Sequence, residues 1–325
     1  MTKDEFVARC AGEIAAIDQA MRQDLATVSS PLLRQVLEYA LFAGGKRVRP
    51  LLVVLTARLA GAREPVLAPA MAFEYLHVAT LLHDDIIDGA AKRRGRPVAS
   101  AVWGATPAIL AGDYLHARSL FLVGSLGGPA CLAAVCGATA AMVEGEFLQL
   151  ALAGQSLVGE TDYRAVIQAK TAALITAACQ VGGQLAKAAP EAVAALGRYG
   201  QGLGQAFQII DDCLDYGGEE AVTGKATGTD FLEGKQTLPL ILARERAPAD
   251  DRQRLADLLA ADPAARRAAL PWVTALIARE GGFAQARQQA ATLVAAALAD
   301  LGTLPPAPER DLLAGLAGYV LSRRH

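Results

Sequence analysis

The sequence has few aromatic residues, and this scarcity limits the fold classes that suit it. Aromatic residues make up 5% of its 325 residues, whereas 53% of the residues are hydrophobic. Alanine and leucine dominate the hydrophobic share, and few segments are rich in valine, isoleucine and threonine together. Because alanine and leucine are strong helix formers, the composition predicts an all-α protein.

The sequence also lacks a strong charge imbalance and a paired-cysteine motif. Its formal net charge is −2, which gives no sign of a protein that binds nucleic acid. Its five cysteines include no CxxC pair, a pattern typical of reduced core thiols in a cytosolic protein. We therefore expect a cytoplasmic protein without a nucleic-acid partner, in which any charge-based function comes from local clusters.

No segment has the pattern of a signal peptide or of a membrane-spanning helix. The N-terminal stretch MTKDEFVARCAGEIAAIDQAM carries acidic residues every few positions and has no apolar core. The longest weakly polar run, 129–143, falls short of the roughly 20 apolar residues that span a membrane. We therefore expect no transmembrane segment.

Glycine and proline divide the sequence into helical segments. Ser30-Pro31 resembles an N-cap followed by a first-turn proline, and the periodic stretch after it stops at a glycine pair. The polar, glycine-containing stretch 216–236 predicts a long loop. No linker or repeat of fixed period separates the chain into halves. We predict one domain, 1–325, that contains about ten or more helices.

Two aspartate clusters with the same spacing are the most informative feature of the sequence. The first lies in LLHDDIIDG and the second in FQIIDDCLDYGG, so both have the form DDxxD. In a helix, residues four apart lie on one face, so the first and last carboxylates of each cluster would be neighbours. Both clusters end long apolar segments, where the helix dipole and mutual repulsion disfavour carboxylates.

Divalent cations would offset this repulsion between the aspartates. Ligation by carboxylates without histidine or cysteine suits a hard ion, and Mg²⁺ binds through one or two carboxylates plus substrate phosphates. One such cluster could equally be a solvated helix face. Two clusters, each within an otherwise apolar helix, favour metal binding over that interpretation.

Basic residues recur beside the glycine-containing turns near these clusters. They lie in GGKRVRP, in RRGRP directly after the first cluster, in QAKTAALIT and at both sides of the predicted loop. Any one of them could be an ordinary surface charge. Arginine binds phosphate bidentately and lysine supplies a point charge, so their recurrence near the acidic clusters indicates diphosphate binding.

Several common catalytic arrangements are missing from the sequence. It shows no Ser–His pair, thiol nucleophile or glycine-rich nucleotide loop. A site that holds metal ions and basic side chains but no nucleophile suits a reaction in which a diphosphate leaves. Both the metal ions and the basic side chains stabilise the negative charge that develops on the leaving group. The carbocation left on the substrate is tolerable if it is allylic and if an apolar helical pocket shelters it from water.

This ordered set of motifs resembles the trans-isoprenyl diphosphate synthases of the polyprenyl synthetase family. The resemblance extends from Gly44 to Leu240 and includes GGKRVRP, HDDIID, RRGRP, AGDYL, VEGEFLQL, KTAALI, FQIIDDCLDY and GKATGTDFLEGKQTLPL. It implies the isoprenoid synthase type I fold, an all-α bundle around a deep central cavity, usually in a homodimer. It also implies ionisation of an allylic diphosphate, attack by isopentenyl diphosphate and proton loss to the departing pyrophosphate.

The resemblance implies roles for individual residues. It predicts Mg²⁺, with three ions per active site, and metal ligands at Asp84, Asp88, Asp211, Asp212 and Asp215. It predicts catalytic roles for Asp84, Asp85, Asp88, Lys170, Thr171, Gln208 and Asp211. The positions that match isopentenyl diphosphate binding are Lys46, Arg49, His77 and Arg94. The positions that match binding of the allylic diphosphate are Arg93, Lys170, Thr171, Gln208, Lys225 and Lys235.

In the same family, the residues four and five positions before the first aspartate set product length. Here they are the small Thr80 and Ala79, so the floor of the product tunnel would lie deeper, at Leu76, Phe73 or a facing helix near 135–142. Small side chains one helical turn from the aspartates leave room for growth, and the resemblance implies a product of about C35–C50.

The motifs HVATLLHDDIID and FLEGKQTLPL are most similar to long-chain bacterial enzymes that make quinone side chains. The resemblance therefore implies farnesyl diphosphate or a similar allylic primer, and delivery of the product to a membrane enzyme. A geranylgeranyl or farnesyl diphosphate synthase is the alternative product class.

Other classes of protein share parts of this pattern. Glu74-Tyr75-Leu76-His77 is an ExxH motif, as in carboxylate di-iron bundles, but that interpretation leaves both DDxxD clusters unexplained. A non-catalytic subunit of a heteromeric prenyl synthase would usually lose one aspartate motif, and here both are intact. A class I terpene cyclase would share the first motif but would not need the two basic turns.

Overall fold

A computed structural model describes residues 3–153, 155, 157–217 and 228–323. Within these ranges the chain is almost entirely helical, which confirms the predicted all-α class. The α-helices are α1 (Lys3–Leu25), α2 (Pro31–Leu41), α3 (Val48–Leu59), α4 (Leu67–Ile87), α5 (Ala99–Trp103), α6 (Ala105–Leu152), α7 (Glu160–Ile167), α8 (Ala173–Leu185), α9 (Pro190–Gly217), α10 (Thr229–Leu232), α11 (Leu238–Arg246), α12 (Ala249–Ala260), α13 (Pro263–Arg279), α14 (Gly282–Gly302) and α15 (Pro308–Ser322). A π-helix, Gln168–Ala172, joins α7 to α8, and the strands β1 (Lys92–Arg93) and β2 (Arg96–Pro97) pair antiparallel.

The chain forms two compact units. The first unit contains Met1–Gly137, Leu174–Gly197 and Leu301–Gly315, and the second contains Ala138–Ala173, Arg198–Asp300 and Leu316–His325. The expectation of one domain with a central cavity stays a prediction.

In the first unit, α3 packs along α4, which also contacts α1 and α2. Helix α3 is buried on almost every side, as expected for a helix whose sequence is apolar all round. The predicted cap of α2 is confirmed, because the Ser30 side chain accepts a hydrogen bond from the Leu33 amide at 3.3 Å. The hydroxyl thereby satisfies one of the amide donors that a helix N-terminus leaves unpaired.

In the second unit, α11 and α12 pack against α13 around a separate apolar cluster. This cluster includes the buried side chains of Tyr216, Phe231, Leu240, Leu255 and Leu276. It joins the end of α9 to the helices that follow the undescribed stretch 218–227. The cluster thereby ties the second aspartate motif to the segment that carries Lys235.

Three local features differ from the simple helix pattern read from the sequence. Helix α6 contains a kink, where Gly128 has φ 73° and is followed by Pro129. Part of the predicted loop 216–236 lies outside the described residues, and its described part contains the short helix α10. The β1–β2 ribbon was not predicted, because strands of two residues leave no periodicity in a sequence.

Two helical runs, Ala105–Leu152 and Glu160–Leu185, are long and apolar enough to cross a membrane by length and composition. In the most apolar 18-residue segment of each run, 22% of the residues are buried for the first run and 50% for the second. A core helix of a globular protein passes the same test, so the criterion alone is weak support for a span. The absence of a transmembrane segment stays a prediction.

The close approach of α8 to α3 generates a prediction about stability. A Cβ atom at Gly182 would lie 2.0 Å from the Thr56 hydroxyl oxygen and 2.7 Å from the Val53 carbonyl oxygen. We expect Gly182→Ala to lower the free energy of unfolding by about 1–3 kcal/mol, because the packed backbones cannot separate freely. Urea denaturation measures the change.

Gly12→Ala is the matched control for this substitution. Gly12 also lies in a helix, α1, and its Cβ would meet no atom within 4 Å. That variant should be as stable as the wild type or more stable by about 0.5–1 kcal/mol, because alanine favours helix. Equal effects of the two substitutions would contradict the close packing of α8 on α3.

Candidate active site

One buried arginine organises the turn between α2 and α3. The side chain of Arg47 is 4% exposed and donates to the Asp18 carboxylate at 2.7 Å and to the Glu74 carboxylate at 2.8 Å. It also donates to the Leu41 carbonyl oxygen at 2.8 Å. These bonds hold the backbone of Arg47 in the left-handed region, at φ 50°, which a side chain other than glycine seldom adopts.

The second basic turn, RRGRP, contacts this first turn. Arg94 sits in the β1–β2 ribbon, also with a positive φ of 51°, and its guanidinium donates to the Gly44 carbonyl oxygen. Non-glycine residues in this conformation persist only where surrounding contacts enforce them, and they cluster at functional sites. The two glycine-containing basic motifs therefore form one local structure in the first unit.

A pocket in the first unit gathers several of the predicted diphosphate-binding residues. His77, Arg93 and Arg94 line it together with Glu74 and Asp85. Burial, and then the positive charges of the neighbouring arginines, hold the pKa of His77 well below its usual range. The imidazole is therefore neutral at pH 7, and the surrounding positive potential favours an anionic ligand.

The three aspartates of the first cluster have different environments. Asp85 is buried and accepts hydrogen bonds at 2.8 Å from the guanidinium of Arg93, whereas Asp84 is half-buried and Asp88 is exposed. Asp88 caps the C-terminus of α4, where its amide donates to the Asp84 carbonyl oxygen. Asp84 and Asp88 thus share one helix face, as their spacing predicts, and Asp85 is engaged with a base.

The remaining predicted residues of the first unit lie on the same elements. Lys46 is exposed in the turn before α3, and Arg49 is half-buried in the first turn of that helix. On α4, Leu76 and Ala79 are buried, and the half-buried Thr80 donates from its hydroxyl to the His77 carbonyl oxygen at 2.8 Å.

A second pocket, in the second unit, gathers another predicted set. Lys170, Thr171, Gln208, Asp212 and Lys235 all line it. Lys170 and Thr171 belong to the π-helix, a wider turn that shifts the side chains of a helix and occurs often at functional sites.

Acidic side chains pair with both lysines of this second pocket. Lys170 forms an ion pair with Glu146, and Lys235 forms one with Glu233 at 2.7 Å and lies 3.9 Å from Asp230. An entering diphosphate would therefore replace carboxylates that already bind these ammonium groups.

Four side chains beside these lysines form a continuous hydrogen-bonded chain. The Tyr163 hydroxyl donates to Asp212 at 2.6 Å, Gln208 donates to the other Asp212 oxygen at 2.8 Å, and Thr171 donates to Gln208 at 2.8 Å. Burial and then the nearby Asp230 carboxylate raise the pKa of Asp212, while the two donors act against that rise. Burial, followed by the Asp212 charge, raises the pKa of Tyr163, which keeps its hydroxyl protonated as a donor.

The other two aspartates of the second cluster have separate partners. Asp211 forms an ion pair with Arg323 at 2.5 Å, and the guanidinium of Arg323 lies 4.6 Å from the centre of the Phe207 ring. Asp215 accepts a hydrogen bond from the Asp230 amide at 3.1 Å. Lys225, predicted to bind the allylic diphosphate, lies outside the described residues.

Four residues that bond to predicted site residues were not singled out in the sequence. They are Tyr163, Glu146, Asp230 and Arg323. Tyr163 precedes Lys170 by seven residues, which is two helical turns, so helical spacing offered a signal for it. Arg323 follows Asp211 by more than a hundred residues, and no local pattern connects such distant positions.

The chain matches one family of known proteins across most of its length. A family model described as polyprenyl synthetase matches residues 30–276. Octaprenyl diphosphate synthase of Escherichia coli is 36% identical over 318 residues, covering 94% of this chain and 98% of the relative. A short-chain isoprenyl diphosphate synthase of Methanothermobacter thermautotrophicus is 35% identical over 313 residues, covering 95% of each. Other relatives of similar identity are named nonaprenyl diphosphate synthase and heptaprenyl diphosphate synthase component 2.

Solved structures give the same family. A crystal structure of polyprenyl synthase from Caulobacter crescentus, complexed with calcium and isoprenyl diphosphate, superposes with a TM-score of 0.90 at 35% identity. The superposition covers 100% of this chain and 98% of that one. These matches, together with the engagement of Glu74 by Arg47, remove the di-iron interpretation of the ExxH motif. The chain belongs to the polyprenyl synthetase family, and it is an all-α prenyltransferase with the isoprenoid synthase fold.

Proposed function

We propose that the chain condenses isopentenyl diphosphate repeatedly onto an allylic diphosphate, such as farnesyl diphosphate, and makes a long trans-polyprenyl diphosphate. The observation that carries this proposal is the concentration of predicted diphosphate-binding bases at two pockets, each beside a DDxxD motif. Family membership supports prenyl transfer, and the residues of each pocket support the division of substrates between them.

The pocket of the first unit suits isopentenyl diphosphate. Arg94 is held by the Gly44 carbonyl oxygen, and the neutral imidazole of His77 can donate one hydrogen bond to a phosphate oxygen. Exposed Lys46 and half-buried Arg49 add positive charge beside this pocket. Isopentenyl diphosphate keeps its diphosphate during the reaction, so cations without a metal ion suffice to hold it.

The pocket of the second unit suits the allylic substrate, whose diphosphate must leave. Lys170 and Lys235 supply positive charge, and Thr171 and Gln208 supply polar atoms where the reacting carbon would lie. Apolar side chains, among them Leu152, Val166 and Ile167, line the same pocket and would exclude water from an allylic cation. The family resemblance also implies a role for Arg93 in binding the allylic diphosphate.

The donor groups fit Mg²⁺, which we propose as the metal of this enzyme. No group of three or more His, Cys, Asp or Glu side chains forms a metal site among the described residues. Mg²⁺ needs one or two carboxylates, because substrate phosphates complete its coordination. Asp84 and Asp88 present two carboxylates on one face of α4, and Asp211 already binds a cation, the guanidinium of Arg323. When bound, Mg²⁺ would stabilise the negative charge on the departing diphosphate.

An assay of the purified chain tests this proposal. With Mg²⁺, labelled isopentenyl diphosphate and farnesyl diphosphate, we expect dephosphorylated products of about C35–C50, because Ala79 and Thr80 leave the chain room to grow. Chromatography sizes the products. EDTA should abolish the reaction and excess Mg²⁺ should restore it.

The same assay separates the alternatives. A main product of C20, or C15 formed from a shorter allylic diphosphate without elongation of farnesyl diphosphate, would assign the short-chain alternative. Inactivity of the chain alone, with activity on adding a second subunit, would assign the heteromeric alternative. Activity that persists without any divalent cation would contradict the proposed role of the aspartates.

The residues before the first aspartate generate a sharper prediction about product length. Ala79→Phe and Thr80→Phe should each shorten the main product, because a ring one helical turn before Asp84 would block the growing chain. Reversed-phase chromatography of the dephosphorylated products measures the change. Ala79→Ser, which keeps the side chain small, is the control and should keep the wild-type length. Full-length products from both phenylalanine variants would reject this assignment.

We also propose that the enzyme is a homodimer, as the family resemblance implies. On α6, the exposed Leu110, Ala117 and Phe121 follow one another by seven and four residues and form an apolar stripe. A second copy would cover this stripe. Light scattering should give twice the mass of one chain for the wild type and one chain mass for Phe121→Asp. The control Leu32→Asp, at an exposed leucine of α2, should stay dimeric.

The cellular context stays a prediction. The resemblance implies a cytoplasmic enzyme whose product enters quinone side chains after delivery to a membrane enzyme. Cell fractionation and quinone analysis of a strain lacking the protein would test both points.

A further inference from the structure

We infer that Tyr163 is a positioning residue for the allylic substrate, acting through Asp212 on Gln208 and Thr171. This inference rests on the proposed function of the second pocket. It adds a residue that no motif of the sequence singled out. It also gives Asp212 a role different from the predicted one as a metal ligand.

The first step is the burial of the tyrosine–aspartate pair. The side chains of Tyr163 and Asp212 are 5% and 3% exposed, so water cannot replace a partner that either one loses. The two oxygens of Asp212 accept one bond each, from the Tyr163 hydroxyl at 2.6 Å and from the Gln208 amide at 2.8 Å. A buried carboxylate needs such donors, and removing one leaves a costly unsatisfied oxygen.

The second step is the orientation of the Gln208 amide. A carboxylate only accepts hydrogen bonds, so Gln208 must present its NH₂ group to Asp212 and its oxygen to the Thr171 hydroxyl. The hydroxyl proton of Thr171 is thereby directed at Gln208. Both residues line the pocket. The two hydrogen bonds therefore fix the direction of the second amide N–H of Gln208 and of the hydroxyl lone pairs of Thr171.

The third step is the effect of losing the Tyr163 hydroxyl. Without Tyr163, one oxygen of Asp212 would lack a hydrogen-bond donor. Gln208 already donates one N–H to the other Asp212 oxygen, so its second N–H could supply the missing bond. Recruiting it would rotate the amide away from its position and release Thr171. Because Thr171 lies next to Lys170 in the π-helix, the disturbance would reach the groups that hold the diphosphate.

The geometry also distinguishes Asp212 from its neighbour Asp211. Both oxygens of Asp212 accept hydrogen bonds inside the protein, whereas the half-buried Asp211 is paired with a cation, Arg323. A metal at Asp212 would have to share an oxygen that already accepts a hydrogen bond, in a carboxylate that is only 3% exposed. Asp212 is therefore assigned to anchor the hydrogen-bonded chain, and Asp211 keeps the predicted ligand role.

The first experiment compares Tyr163→Phe with Tyr75→Phe. Tyr75 is the matched control because its buried hydroxyl also donates to an aspartate, Asp24, at 3.0 Å, in the first unit. We expect Tyr163→Phe to lower kcat/KM for farnesyl diphosphate on the order of 10- to 100-fold, because misplaced reacting groups slow the chemistry. The KM for isopentenyl diphosphate should stay at the wild-type value. Tyr75→Phe should lose stability but keep both kinetic constants.

The outcomes of this comparison are separable. Wild-type kinetics in a folded Tyr163→Phe variant would overturn the positioning role. So would a KM for isopentenyl diphosphate that rises as much as the KM for farnesyl diphosphate, which a general structural defect would produce. An inactive wild-type chain in the same assay would instead contradict the proposed function itself.

The second experiment measures binding of Mg²⁺ with inorganic pyrophosphate by calorimetry, without turnover. Asp212→Asn should bind them with nearly wild-type affinity although its kcat falls, whereas Asp211→Asn should bind them more weakly. Equal loss of metal binding in the two variants would overturn the anchoring role of Asp212.

Discussion

The structure of both pockets depends on the pairing of charges that are shielded from water. Arg47 shows the constraint most plainly, because its guanidinium is buried between two carboxylates and a carbonyl oxygen. A buried charge without such partners would cost several kcal/mol or more. The hydrogen bonds that pair the Arg47 guanidinium hold the backbone of the turn in the left-handed region. They also place the glycine pair beside Arg94. The basic turn thus gets its shape from a buried side chain that was not predicted to bind substrate.

The second unit meets the same constraint with neutral donors. Asp212 is buried on α9, where a tyrosine from α7 and a glutamine one turn earlier supply one hydrogen bond to each oxygen. Among the described residues, two neutral donors thereby hold the carboxylate inside the protein. The same bonds orient the polar atoms that face the pocket. In both units, the need to satisfy one buried charged group determines the geometry of groups that would touch substrate.

The predicted substrate-binding charges are also paired with one another or with nearby acids. Arg93 binds Asp85, Lys170 binds Glu146, and Asp211 binds Arg323. These partly exposed pairs are weak individually, because water screens them. A diphosphate carries more negative charge than a single carboxylate, so it can replace the acids that bind Arg93 and Lys170. The pockets therefore hold their charged side chains in place without a large penalty before substrate enters.

Local sequence patterns determined the all-α class, the cap of α2 and the two DDxxD motifs. Those features depend on residues within a few turns of one another, such as Asp84 and Asp88, and helical periodicity records such neighbours. Family membership followed from the order of the motifs for the same reason.

Only the tertiary structure showed that Asp85 binds Arg93 from the ribbon, that Tyr163 supports Asp212, and that Arg323 meets Asp211. It also showed that three aspartates with one spacing have three different environments in each motif. A carboxylate binds metal, base or hydroxyl according to its burial and its partners. Partners that come from distant segments leave no pattern in the local sequence.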